Sequence, residues 1–127
     1  MMKIMITALT TLILGTAAAY AAEPAKVATV DGAKVYTDAS GMTLYTFDKD
    51  ASGKSNCDGD CAVKWPPFKA ETGATAEGNW TLVERTDGSM MWAYDGKPLY
   101  TYEGDKKAGD ATGNNMGDGA WHIATAE

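Results

Sequence analysis

The sequence predicts an all-β protein: a small antiparallel sandwich or barrel built from two copies of a β-hairpin motif, after a cleaved signal peptide. Three observations carry this. First, Gly41-Met42-Thr43-Leu44-Tyr45-Thr46-Phe47-Asp48-Lys49-Asp50 aligns without gaps on Gly96-Lys97-Pro98-Leu99-Tyr100-Thr101-Tyr102-Glu103-Gly104-Asp105. Second, Asp-Gly pairs recur at Asp31-Gly32, Asp87-Gly88 and Asp95-Gly96, and Asp-Gly between strand-like runs is the strongest short-range hairpin signal. Third, 14 glycines and frequent Tyr, Thr, Val and Trp suit strands joined by tight turns.

Met1-Met2-Lys3, the apolar run 4–14 and the small residues Gly15, Thr16, Ala17, Ala18 and Ala19 read as a secretory signal peptide. The run is too short to cross a bilayer, which takes about 20 apolar residues. Ala19-Tyr20-Ala21 places small residues where a signal peptidase reads, so residues 1–21 are expected to be removed and residues 22–127 to form one domain. No cysteine adjoins this cut, so the lipid of a bacterial lipoprotein has no atom to attach to. The expected product is soluble, and periplasmic or secreted. Loss of Lys3 leaves 10 basic against 17 acidic residues, a net charge near −7. That balance argues against nucleic-acid binding and anionic membrane surfaces, both of which need surplus Lys and Arg. It is compatible with divalent cations or with simple solubility.

Two internal repeats are expected, at about 27–68 and 80–125, each ending in a polar loop followed by a tryptophan, Trp65 or Trp121. Strands are expected at 26–30, 80–86 and 121–124, where Val, Ile, Thr and Trp gather. In the second copy a two-residue turn at Asp95-Gly96 would pair Tyr94 with Lys97, then Trp92 with Leu99 and Met91 with Tyr100. Side chains alternate along strands, so Met90, Trp92 and Leu99 would share one face and Met91, Tyr100 and Tyr102 the other. Trp92 and Leu99 are expected to pack together in the core. Trp65-Pro66-Pro67-Phe68 is excluded as a central strand, since neither proline can donate to a ladder; it reads as a rigid segment carrying two aromatics inward. Residues 71–79 and 106–119 read as loops.

The doubled Tyr-x-aromatic-x-x-Asp pattern resembles the bacterial secreted-repeat family, described as predicted lipoproteins with a Y-x-(FWY)-x-x-D motif. The resemblance rests on Leu44-Tyr45-Thr46-Phe47 with Asp50, Gly53-Lys54-Ser55 with Cys57 and Cys61, Trp65-Pro66-Pro67, and Pro98-Leu99-Tyr100 with Tyr102, Asp105 and Trp121. It runs from about Val27 to Thr125. It implies an envelope location and a duplicated β unit, and brings no activity. The missing anchoring cysteine departs from the lipoprotein label.

Cys57 and Cys61, the only cysteines, are expected to form a disulfide in an oxidising compartment, with redox activity and metal ligation as alternatives. Asp58 and Asp60 would raise a thiol pKa and so work against a redox role. Asp48, Asp50, Ser52 and Asn56 occupy positions one, three, five and nine of a calcium-loop pattern, with Gly53 at six, and hard cations take such oxygen ligands. The twelfth position is Gly59, so Asp58 would have to substitute. The alternative is a set of solvated turn acids. Met90, Met91, Met116 and His122 offer soft ligands for copper, although adjacent strand residues point apart. Tyr45, Phe47, Tyr100 and Tyr102 would either bind a sugar, a haem edge or a partner protein, or pack in the core. The lone histidine has no serine motif beside it, and no glycine-rich phosphate loop follows a strand, so no enzyme activity is expected. The expected function is a non-catalytic envelope binding module for a metal ion such as calcium, a small ligand or an envelope protein partner. The alternative is a structural or interaction domain without a small ligand.

Overall fold

The computed structural model describes residues 23–126; the expected signal peptide lies outside them. Seven strands and two short helical turns follow one another: β1 (Lys26–Val30), β2 (Ala33–Thr37), β3 (Tyr45–Phe47), α1 (Asp60–Lys64), β4 (Trp80–Glu84), β5 (Met90–Tyr94), β6 (Lys97–Pro98), α2 (Met116–Gly119) and β7 (Trp121–Ile123). They form small antiparallel sheets, β1-β2, β3-β7 and β4-β5-β6, with no closed barrel among the described residues. The all-β expectation holds, as a small sandwich.

The turns explain the hairpins. Asp31 and Gly32 have φ of 50° and 82°, and Asp95 and Gly96 have φ of 52° and 80°. Two successive positive φ values make the type I′ turn whose twist matches the flanking strands. Val30 therefore pairs with Ala33, and Tyr94 with Lys97. In the longer turn of the first copy, Asp38 Oδ1 accepts hydrogen bonds from the Ser40 and Met42 amides, and Thr37 pairs with Thr43.

The register expected beyond the Asp95-Gly96 turn holds for two pairs and then breaks. The Leu99 amide donates to the Trp92 carbonyl at 3.1 Å. Met91, however, bridges Lys69, and Tyr100 bridges Pro67 and Tyr45. The reason is the Trp65-Pro66-Pro67-Phe68 segment. The Phe68 amide donates to the Leu99 carbonyl, and its carbonyl accepts from Trp92, both at 2.9 Å, so this segment lies between the two arms of the second hairpin. The prolines act only as acceptors, Pro66 receiving the Thr101 amide. Thus the segment does take an inner position, though not as a regular strand. Trp65 is buried as expected, whereas Phe68 is only half-buried.

The same arrangement recurs in the other copy. The Ala124 amide donates to Leu44, the Tyr36 amide to Ala124, and the Leu44 amide to Tyr36. Each hairpin is therefore completed by the tail of the other repeat. Where the two copies meet, Tyr45 and Tyr100 exchange backbone hydrogen bonds at 2.7 and 3.0 Å. The two units are thus related by an approximate twofold through this pair.

Alternation along Leu44-Tyr45 and Leu99-Tyr100 sends leucines and tyrosines to opposite sides. One core holds Tyr45, Tyr100, Trp65, Trp121, Val83, Met91 and Cys57. The other holds Leu44, Leu99, Tyr36, Trp80 and Ala124, with Trp92 and Tyr94 partly buried against it. In the first, Phe47, Trp121, Trp65 and Tyr102 stack as a column with centroid spacings of 4.1, 3.8 and 4.3 Å. Each ring pair adds about 0.5–1.5 kcal/mol beyond its buried area. Residues 106–119 end in α2, whose Gly117 and Asp118 are left-handed, so it is a turn of mixed hand. The helix α1 was not expected.

Candidate functional site

The motif residues face inward. Tyr45 and Tyr100 are fully buried, which removes them from any ligand-binding face and leaves only Phe47 and Tyr102 half-exposed. Their hydroxyls reach across the twofold. Tyr45 donates to Asp105 Oδ2 at 2.6 Å, and Tyr100 donates to Asp50 Oδ2 at 2.7 Å. Each motif tyrosine therefore pairs with the motif aspartate of the other copy. Asp105 Oδ1 also accepts from the Thr112 amide and hydroxyl, as Asp50 Oδ1 accepts from the Asn56 amide at 2.6 Å. Burial, and then Asp105, hold the Tyr45 hydroxyl well above the ordinary tyrosine range. Burial does the same to Tyr100, and it raises the Asp50 carboxyl against the opposing effect of the Asn56 and Tyr100 donors.

Arg85, which no motif in the sequence marks, anchors the first copy's side of this network. It is 8% exposed. One guanidinium nitrogen donates to Ser55 Oγ at 3.1 Å and the Met91 sulfur at 3.4 Å; the other donates to the Cys57 carbonyl at 2.7 Å and Asp58 Oδ1 at 3.3 Å. Its signal was parity: residue 85 lies two beyond buried Val83 and shares its face. Among the described residues no buried side-chain nitrogen or oxygen lacks a partner, so the network is closed upon itself.

Cys57 and Cys61 form the expected disulfide, with Cα atoms 5.2 Å apart. The expected calcium ligands each have a protein neighbour. Asp48 hydrogen-bonds His122 at 2.8 Å, and Asp50 holds Asn56 and Tyr100. The Asn56 amide group donates to the Lys49 carbonyl, while Asp58 receives Arg85 and Thr86. Exposed Ser52 lies against Gly96, where an added Cβ would meet its Oγ. Among the described residues no three His, Cys, Asp or Glu side chains gather as a metal site. Met91 is fully buried, whereas Met116 is 41% exposed.

The open feature lies elsewhere. A groove of about 680 Å³ is lined by Trp80, Trp92 and Tyr94, by Glu23 and Pro24, and by the loop preceding β4. Cross-strand register builds it: Trp80 pairs with Tyr94, and Trp92 sits diagonally to Trp80. Trp80 and Trp92 stand at 89° with centroids 6.4 Å apart, and Tyr94 lies 4.9 Å from Trp80 at 59°. Trp92 is thus half-buried beside fully buried Leu99. It shares that core as expected, but as groove wall rather than as filling. Tyr94 also borders a second, polar cavity of about 430 Å³ that contains Asp48, His122, Asp95 and Lys97.

A family profile described as a secreted repeat of unknown function matches residues 26–69 and again residues 81–125. No curated protein and no solved structure matches the chain. Among the described residues no helix is long and apolar enough to cross a membrane.

Proposed function

Because the chain belongs to the family of secreted repeats of unknown function, we propose that it is a non-catalytic binding module of the bacterial cell envelope, periplasmic or secreted. It holds a small organic ligand in the groove of Trp80, Trp92 and Tyr94. The observation that carries this reading is the contrast between the two aromatic clusters. The motif tyrosines are buried with their hydroxyls paired, whereas half-buried Trp92 and Tyr94, packed over nearly buried Trp80, border a cavity of about 680 Å³, within the range of small-molecule sites. A divalent cation at residues 48–58 is the weaker candidate, because the carboxylates there already receive protein donors.

The neutral fluorophore N-phenyl-1-naphthylamine tests the reading. Its emission is expected to rise saturably with the wild-type protein and to lose most of that rise with Trp92→Ala, a variant checked as folded by circular dichroism. No rise, or an equal rise with the variant, would remove the groove as a binding site. Melting curves at several millimolar Ca²⁺ run alongside. A melting shift there that Asp48→Asn and Asp50→Asn abolish would move the site to residues 48–58.

A further inference from the structure

We infer that the ligand of this groove is an organic cation, a protonated amine or quaternary ammonium whose head lies against Trp80, Trp92 and Tyr94; this rests on the groove being a binding site. The face of an aromatic ring carries negative potential, and Trp carries the most favourable one. Here two indoles stand at right angles and a phenol tilts against one of them. Half-buried Trp92 and Tyr94, standing over nearly buried Trp80, make a corner suited to a compact, roughly spherical head, not the flat platform on which a sugar ring stacks.

The charges agree. Among the described residues the lining includes two carboxylates, Glu23 and Glu77, and no Lys, Arg or His. Glu77 is in no ion pair among the described residues, where the pairs are Arg85 with Asp58 and His122 with Asp48. The full chain adds a net charge of −6, which raises the local concentration of cations and repels anions. A bare metal ion would need several converging oxygens, and no such cluster is present among the described residues. A cation with an apolar shell can instead use the rings for contact and the carboxylates for charge.

The test compares choline with 3,3-dimethyl-1-butanol, its uncharged isostere, by quenching of tryptophan fluorescence in the wild-type protein. Choline is expected to quench saturably, with the alcohol binding at least about tenfold more weakly; tenfold corresponds to about 1.4 kcal/mol. Glu77→Gln should weaken choline several-fold and leave the alcohol unchanged. Equal binding of the two would overturn the cation inference and leave the groove reading standing. Preferential saturation by methyl β-glucopyranoside would overturn it in favour of a sugar. Silence from choline beside a response to N-phenyl-1-naphthylamine would overturn the cation inference alone, and no response to N-phenyl-1-naphthylamine would remove both readings.

Discussion

Replacing Tyr45 by Phe deletes one oxygen and tests how the duplicated motif is joined. In the wild type that hydroxyl donates to Asp105 Oδ2 at 2.6 Å and accepts the Gly113 amide at 3.2 Å. Asp105 is only 5% exposed, and Thr112 serves its other oxygen. The variant therefore leaves one buried carboxylate oxygen and one buried amide without this partner. A hydrogen bond to a charged group contributes about 1.5–3 kcal/mol, and a stranded buried donor costs about 1–3 kcal/mol. Because the two losses share an atom they do not simply add, and about 2–4 kcal/mol is expected. At about 4–8 °C per kcal/mol for a domain of this size, the melting temperature should fall by at least about 8 °C. A double-mutant cycle by urea unfolding identifies the partner. Tyr45→Phe should couple to Asp105→Asn by about 1–2 kcal/mol, and to Asp50→Asn, in its own copy, by less than about 0.5 kcal/mol. Strong coupling to Asp50 with none to Asp105 would refute the cross-copy pairing.

Two further outcomes follow from the same network. Burial raises the Asp50 carboxyl above the ordinary aspartate range, so protonation favours the folded state. Its stabilising contribution is complete below about pH 4 and is lost as pH rises through the raised value. Asp50→Asn should therefore lose stability more steeply than wild type as pH falls from 7 to 4 in urea titrations, and parallel profiles would contradict this. A protease site inserted between Glu71 and Thr72, in the exposed loop joining the repeats, should yield halves that co-elute from gel filtration after cleavage. Each half supplies the strand that completes the other's hairpin. Separate elution of two folded halves would show that the tails are not exchanged.

What was legible in the sequence was local. Asp31-Gly32 and Asp95-Gly96 specify their turns because only left-handed backbone closes a type I′ hairpin, and the pairs Tyr94 with Lys97 and Trp92 with Leu99 follow from counting. The count failed at Met91 because it assumed that the hairpin arms stay adjacent, whereas the tail of the first repeat enters between them. Nothing in the spacing of Trp65-Pro66-Pro67-Phe68 says which copy it completes. The calcium pattern failed to anticipate Asp50's partner for the same reason: Tyr100 is distant in sequence. Recurrence of Tyr and Asp at equal offsets did hold a clue, since a duplicated unit can satisfy both pairs reciprocally. The groove needed the pairing of β4 with β5, which brings Trp80 beside Tyr94; the Asp95-Gly96 turn alone showed only one of Trp92's neighbours.

The most direct test of the binding account is a proton–nitrogen correlation spectrum recorded while choline is titrated into the protein. The four tryptophans give four indole N–H signals. Trp80 and Trp92 wall the groove, whereas Trp65 and Trp121 stack on each other in the opposite core at 3.8 Å. The account predicts saturable shifts at the indole signals of Trp80 and Trp92, with those of Trp65 and Trp121 unmoved. Shifts confined to Trp65 and Trp121, or no shift with either millimolar choline or N-phenyl-1-naphthylamine, would contradict it.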